Sequence, residues 1–464
     1  MKIYLRESKM KHPVYLLLGV VVLMLTGCKH LTALETHGPP AEKLDIVLVP
    51  SHYYGESADT NAQWIADAEA IKETLLEHHF WTRYRKKINM YRLNKSTADD
   101  FSMAGELWRP SRQKIKNFAF GEAPFLEFSK NDQIIYVMES DGYRNDPLVT
   151  SYGDTRGDPN IVTVESDKIM SVLVHEFGHA FGNLGDEYPK RHADWWVSGY
   201  PNIATVHPDN RCEDRWADLM GVVIEAPGTW IENFRSLRTV GCYQANDPDS
   251  EGTTYKPTQS ACIMDQINAR FPFCPVDQRH LVTLLEQYSP QATCDVLPGE
   301  FRNRTNFEAA AGPLTLVNFD TAPSGEALSA PSPGVLAERR FSSAGIHFTA
   351  GVIFGEPNLP FSGISPPNVI SNSEINLPER ALVSGYISDP ACAIGITNTG
   401  AEAVLRVYDD AFRLIASINS DTDPSTADFV GLLTTKPIYR FEFDFVSGPG
   451  FGGDDLFFGA SPPE

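Results

Sequence analysis

His175 and His179 stand four residues apart in a segment whose neighbours Val172, Leu173, Val174 and Phe177 predict a largely buried amphipathic helix. That spacing puts both imidazoles on one helix face, one turn apart, so that two ring nitrogens can converge on one metal ion. Glu176 lies beside them. The set has the parts that zinc hydrolysis needs: two neutral imidazole ligands, an open position for water, and a carboxylate base. Zinc at such a site lowers the pKa of its water to about 7, and Glu176 is the group expected to accept the proton as the water attacks a carbonyl.

Two histidines do not complete a zinc site, and the following residues must supply a third ligand. Gly178 and Gly182 are followed by Asn183-Leu184-Gly185-Asp186-Glu187-Tyr188. A helix running on would carry Asp186 about 10 Å beyond His179, at 1.5 Å per residue. A break at Gly182 or Asn183 would instead fold the chain back and bring a carboxylate to the metal.

The elements that must position these residues read as an α/β arrangement. Leu44–Val49 predicts a strand. A helix follows, capped near Asp59 or Thr60, with Trp64, Ile65, Ala68, Ile71, Leu75 and Leu76 on one face. Lys87–Leu93, Ile134–Met138 and Asn160–Val164 predict further strands, and Asp167–Phe181 the helix that carries the histidines. The order β-α-β-β-β-α implies a mixed sheet. The stretch 184–292 is less regular and is assigned to the same domain.

The segment from His175 to Tyr188 resembles the signature of the IgA-peptidase metallopeptidase family. Pro201-Asn202-Ile203 and Ala261-Cys262-Ile263-Met264-Asp265, followed by Phe273-Cys274-Pro275, fit the same family, and the resemblance covers roughly 44–292. It implies a metzincin-like zinc endopeptidase with His175 and His179 as ligands, Glu176 as base, and Met264 in a methionine-containing turn beneath the metal. Metzincins carry the third ligand six residues after the second histidine, where this chain has Gly185. Asp186, one residue later, is therefore the expected ligand, with Glu187 as the alternative. Tyr188 and Tyr255 are candidate oxyanion donors, each more easily read as structural.

The remaining features concern location and attachments. The formal net charge is −21. So acidic a chain disfavours a nucleic-acid partner, which needs a basic footprint. Lys2, Arg6, Lys9 and Lys11 precede an apolar run, Val14–Thr26, that is short for a bilayer span and ends in Leu25-Thr26-Gly27-Cys28. This resembles the lipobox of bacterial lipoproteins. It implies acylation of Cys28 and attachment to the cell envelope, at the outer membrane in a Gram-negative source. Six further cysteines suffice for three disulfides in an oxidising compartment, and a bond between Cys262 and Cys274 is one option. The lack of a C-x-x-C pair argues against a cysteine-based zinc site.

Composition changes after Cys294. Short alternating strands, among them Ile346–Phe354, Ala381–Ile387, Val404–Tyr408 and Tyr439–Phe445, predict an all-β sandwich that resembles lectin-like or adhesin-like modules. Asp320, Asp454 and Asp455 offer oxygen ligands suited to calcium, although turn-forming aspartates account for them as well. The expected organisation is a signal peptide at 1–28, a tether at 29–42, a peptidase domain at 43–295, a linker at 296–313 and the sandwich at 314–464. Two functions fit it. One is a zinc endopeptidase acting on extracellular proteins or glycoproteins. The other is a surface adhesin or glycan-binding lipoprotein with a vestigial peptidase domain. The intact His175, Glu176 and His179 favour the first.

Overall fold

The computed structural model describes residues 30–55, 57–97, 101–104, 107–127, 131–139, 152–153, 160–188, 199–205, 211–224, 235–245, 253–288, 293–321, 323–324, 335–336, 341–350, 352–355, 368–371, 382–399, 402–420, 427–445 and 453–459. Cys28 and the segment before it lie outside the described residues. Among the described residues no helix is long and apolar enough to cross a membrane.

The chain divides into two compact units. The first holds 1–186, 263–271 and 287–289, and the second holds 187–262, 272–286 and 290–464. The peptidase region expected at 43–295 is thus shared between them, with a boundary between Asp186 and Glu187.

The first unit is built on a six-stranded mixed sheet of β1 (Leu31–Glu35), β2 (Leu44–Pro50), β3 (Ile88–Leu93), β4 (Gln133–Met138), β5 (Tyr152–Gly153) and β6 (Ile161–Glu165), in the order β1-β3-β2-β4-β6-β5. The four inner strands are parallel; β1 and β5 are antiparallel additions at the edges. Strand β2 is buried along its whole length, as expected of a central parallel strand covered on both faces. Val47, Val49, Tyr91, Ile134, Tyr136 and Met138 turn one face of the sheet toward Ile115 and Ala119 of α2 (Arg112–Glu122). Helix α1 (Ala62–Leu76) starts at Asn61, whose side chain accepts the Trp64 amide at 2.9 Å. That N-cap stands one or two residues later than the sequence suggests. Trp64 in turn donates its indole N–H to the Leu93 carbonyl at 2.8 Å, fastening α1 to β3.

Two stretches that read as connectors are structured. Leu31–Glu35, assigned to the tether, pairs with β3 as an edge strand. In the second unit, the expected linker 296–313 contains a strand, Gly299–Phe301, paired with Gly431–Leu433, and a helix, Arg304–Ala311. Phe307 of that helix is fully buried against Phe429, Phe457, Ala393 and Leu433. Gly395 and Gly431 face one another across two strands, and a Cβ on either would press into the Phe307 or Phe429 ring at 3.1 Å or less. Glycine is needed there because the aromatic rings occupy the space a side chain would take.

Among the described residues, the second unit is dominated by an antiparallel sheet of eleven strands, Gly299–Phe301 included. Its spine is a pair of long strands, Leu382–Asn398 and Asp428–Phe445, whose register breaks between Tyr386 and Ala391. Before the break Leu382–Asn398 pairs with Ile346–Ala350, and after it with Gly453–Gly459. A register break bends a strand, which lets one strand serve two neighbours. Disulfides join Cys212 to Cys242 and Cys294 to Cys392.

If 304–311 is core, Phe307→Ala should cost about 3–5 kcal/mol of the second unit's stability, the usual loss for emptying a buried aromatic site. Urea unfolding monitored by tryptophan fluorescence measures this. A loss below about 0.5 kcal/mol would return the segment to a linker.

Candidate metal centre

Helix α3 (Ile169–Gly182) carries both histidines. A single 3-10 turn, Ser166–Lys168, leads into it from β6. It is held as a buried element by its aromatic side: Trp81 meets Phe177 edge-on at 5.1 Å and Phe181 at 5.6 Å. The other side bears His175 and His179, both buried.

The helix ends at Asn183, which takes the left-handed conformation at φ 48° and ψ 35°. Asparagine is among the few side chains that tolerate this region. The Asn183 amide bonds the His179 carbonyl at 3.0 Å and the Leu184 amide bonds the Gly178 carbonyl at 3.3 Å. This pair of bonds closes the helix and reverses the chain. The break expected at Gly182 or Asn183 therefore falls at Asn183.

The reversal has two consequences. The Leu184 carbonyl comes back onto His179 Nδ1 at 2.6 Å. The Asp186 carboxylate comes onto both Nε2 atoms, with Oδ1 at 3.2 Å from His175 and 3.1 Å from His179. His175 is oriented in the same way by the Ile263 carbonyl, 2.9 Å from its Nδ1. Ile263 opens a one-turn helix, α4 (Ile263–Gln266), in which Met264 is fully buried. Sequence reasoning misses both orienting carbonyls; the one signal it offers is Asn183 as a left-handed helix stop.

A carbonyl only accepts, so each Nδ1 must carry the proton. In the neutral imidazoles each Nε2 then presents a lone pair. The two Nε2 atoms are 3.1 Å apart and each is near a carboxylate oxygen. Three acceptors so close repel one another unless a cation, or an added proton, lies among them. In a tetrahedral zinc site with bonds of about 2.0–2.1 Å, neighbouring ligand atoms are about 3.3 Å apart, close to the observed spacing. His175, His179 and Asp186 thus fit a metal of this kind. Glu176 follows His175 on the helix and is buried.

Protons compete for the same atoms. Burial would push the Asp186 carboxyl up, but the bonds from His175 and His179 win and hold it well below the usual carboxylate range. Burial would push His179 down, but Asp186 and the charge of Glu176 raise it above its ordinary value.

Glu187, the alternative ligand, is committed elsewhere. It is fully buried in the second unit, where it accepts the Asn202 side-chain amide at 3.1 Å. Tyr255 is half-buried on a short strand, Thr254–Lys256, and Tyr188 is half-buried too. The calcium candidates resolve as strand and turn residues. Asp455 takes the Arg304 guanidinium at 2.7 Å, Asp454 accepts the Asp455 amide at 2.9 Å, and the Asp320 amide closes a turn onto the Asn318 carbonyl at 2.7 Å. None of the three belongs to the groups of potential metal ligands found among the described residues. The bond between Cys262 and Cys274 that the sequence left as an option is not formed: both are buried thiols.

Residues 32–238 match the model of the family described as IgA Peptidase M64, which supports that family for this stretch and suggests a metallopeptidase. No curated protein matches the chain. Among solved structures, the cleaved adhesin domain K2 of Lys-gingipain is 10% identical, with 32% of this chain and 99% of that one covered and a TM-score of 0.22. A mutant form of CBM29-2, a family 29 carbohydrate-binding module, is 12% identical over 31% of this chain and 88% of that one, with a TM-score of 0.16. A family 43 arabinoxylan arabinofuranohydrolase from Bacillus subtilis is 13% identical over 31% and 32%, with a TM-score of 0.18.

Because a bound metal must displace the proton that Asp186 favours on His179, metal affinity should rise with pH through the raised His179 titration and level off above it. Competition of zinc with a chromophoric chelator between about pH 5 and 8 tests this, since imidazole titrates in that range. The slope should be one proton per metal or more. A flat profile would mean that His179 does not lose a proton on binding.

Proposed function

We propose that the chain is a zinc endopeptidase in which His175, His179 and Asp186 hold the metal and Glu176 acts as the general base. The observation that carries this reading is the convergence of both Nε2 atoms and the Asp186 carboxylate, at 3.1–3.2 Å from one another, beside a buried glutamate on the same helix. The family match over 32–238 supports the peptidase class.

A zinc ion bound there supplies Lewis acidity, polarising the scissile carbonyl and acidifying a water. The chain does the rest. The Ile263 and Leu184 carbonyls fix both imidazoles in the tautomer that leaves Nε2 available for the metal. Glu176 takes the proton of the attacking water and delivers it to the leaving amine, so one carboxylate serves as base and then as acid. The left-handed stop at Asn183 turns the chain so that Asp186 reaches both imidazoles despite the extra residue in its spacing.

The substrate class we infer is extracellular protein or glycoprotein. Support comes from the leader-like residues 1–28, the lipobox-like ending at Cys28 and the two disulfides, which fit an exported, envelope-attached protein.

The test compares wild type, Glu176→Ala and Asp186→Ala on an unfolded generic protein substrate, with zinc quantified in each. Glu176→Ala should keep its zinc and lose about 10²–10⁴-fold in kcat, the usual contribution of a general base. Asp186→Ala should lose zinc from this site and activity with it. Cleavage surviving Glu176→Ala would remove Glu176 as base. Zinc-loaded wild type that cleaves nothing would remove the enzyme reading.

A further inference from the structure

A second group of metal-ligating side chains lies in the second unit. Cys262, Cys274, Glu187 and Asp277 are each fully buried, and one donor atom from each lies within 4.8 Å of the others. Two thiols and two carboxylates in one dry cluster are costly to leave together. Buried charges of one sign persist where they are paired or bind a metal.

From this geometry we infer that Cys262, Cys274, Glu187 and Asp277 form a second, structural metal site selective for zinc. Thiolate ligands favour zinc over magnesium or calcium, and four protein ligands leave no position for a substrate. With Zn–S about 2.3 Å and Zn–O about 2.0–2.2 Å, a tetrahedral sulfur–oxygen edge is about 3.5 Å. The observed separations fall on both sides of it, with Cys262 Sγ at 2.7 Å from Asp277 Oδ2 and Cys274 Sγ at 3.9 Å from Glu187 Oε1.

The surroundings suit anionic ligands. The Cys274 amide donates to Cys262 Sγ at 3.3 Å and the Asp277 amide to Cys274 Sγ at 3.5 Å. The Asn202 amide donates to Glu187. Cys274 is the N-cap of an eleven-residue helix, Pro275–Leu285, whose N-terminal dipole favours negative charge. These donors offset the charge that four anionic ligands leave after a divalent cation is counted. A disulfide between the two cysteines would instead leave both carboxylates beside a neutral bridge. Although the sequence has no C-x-x-C pair, the fold brings Cys262 and Cys274 together across a gap of eleven residues.

The site has a position in the chain that bears on the first one. Glu187 follows Asp186 directly, and Cys262 precedes Ile263, whose carbonyl orients His175. A metal fixing Glu187 and Cys262 restrains the backbone on which both of those groups depend.

The test is zinc content per full chain by plasma mass spectrometry, on wild type, His175→Ala/His179→Ala and Cys262→Ser/Cys274→Ser. The expected result is two ions in wild type and one in the histidine pair. Because removing two buried thiols can itself unfold the chain, the histidine pair is also loaded with cobalt. A sulfur-to-cobalt charge-transfer band, displaced by zinc, is then expected. The inference fails if the histidine pair holds no zinc and gives no such band, or if unreduced peptide mapping finds Cys262 and Cys274 in one disulfide. A single ion in wild type that survives the histidine pair upholds this site and removes the first. A single ion lost with that pair does the opposite.

Discussion

Two hydrogen bonds from imidazole Nδ1 to backbone carbonyls govern the candidate metal centre. His175 donates to Ile263 and His179 to Leu184, and both acceptors are main-chain atoms fixed by local structure. A side-chain acceptor could rotate away; a carbonyl in a closed turn cannot. With Nδ1 committed, each ring has one rotamer and one tautomer, and the two Nε2 lone pairs are forced toward a common point. The helix supplies spacing, but these bonds supply aim. Much of the first unit serves to hold them in place. The sheet supports α3, Trp81 wedges against Phe177 and Phe181, and the buried Met264 turn presents the Ile263 carbonyl.

The part of this arrangement that is legible in the sequence is the part that depends on near neighbours. A four-residue spacing on an apolar helix is set by helix geometry alone, so His175, Glu176 and His179 can be placed together without the fold. The chain reversal is legible as a need, from Gly182 and Asn183, but nothing local chooses between them. What stays hidden depends on distant partners. Leu31–Glu35 is five residues with little alternation, and it is a strand because Ile88–Leu93 lies ready to receive it. Gly299–Phe301 and the helix after it look like a linker because their partners, Leu432 and Phe429, are more than a hundred residues away. Cys262 and Cys274 read as a possible disulfide when cysteines are compared only with cysteines. Glu187 and Asp277, which complete their surroundings, are of types that sequence reading assigns to the surface.

The spacing from His179 to Asp186, one residue longer than the resemblance implies, goes with the way the helix ends. Gly185 stands where the third ligand would be expected, and Leu184 is occupied in returning its carbonyl to His179. The chain therefore reaches the imidazoles at the next residue with a usable side chain, Asp186. A carboxylate in that place differs from an imidazole in charge as well as in reach. It would cancel one charge of a divalent ion bound there, which a neutral histidine would leave uncompensated. It also attracts a proton onto His179, so that a proton and a metal would compete for one small volume. Glu187, with the same functional group, cannot exchange roles with it. Glu187 is held by Asn202, and Asp186 by two imidazoles, so adjacent residues of similar chemistry are separated by what the fold has already assigned to each.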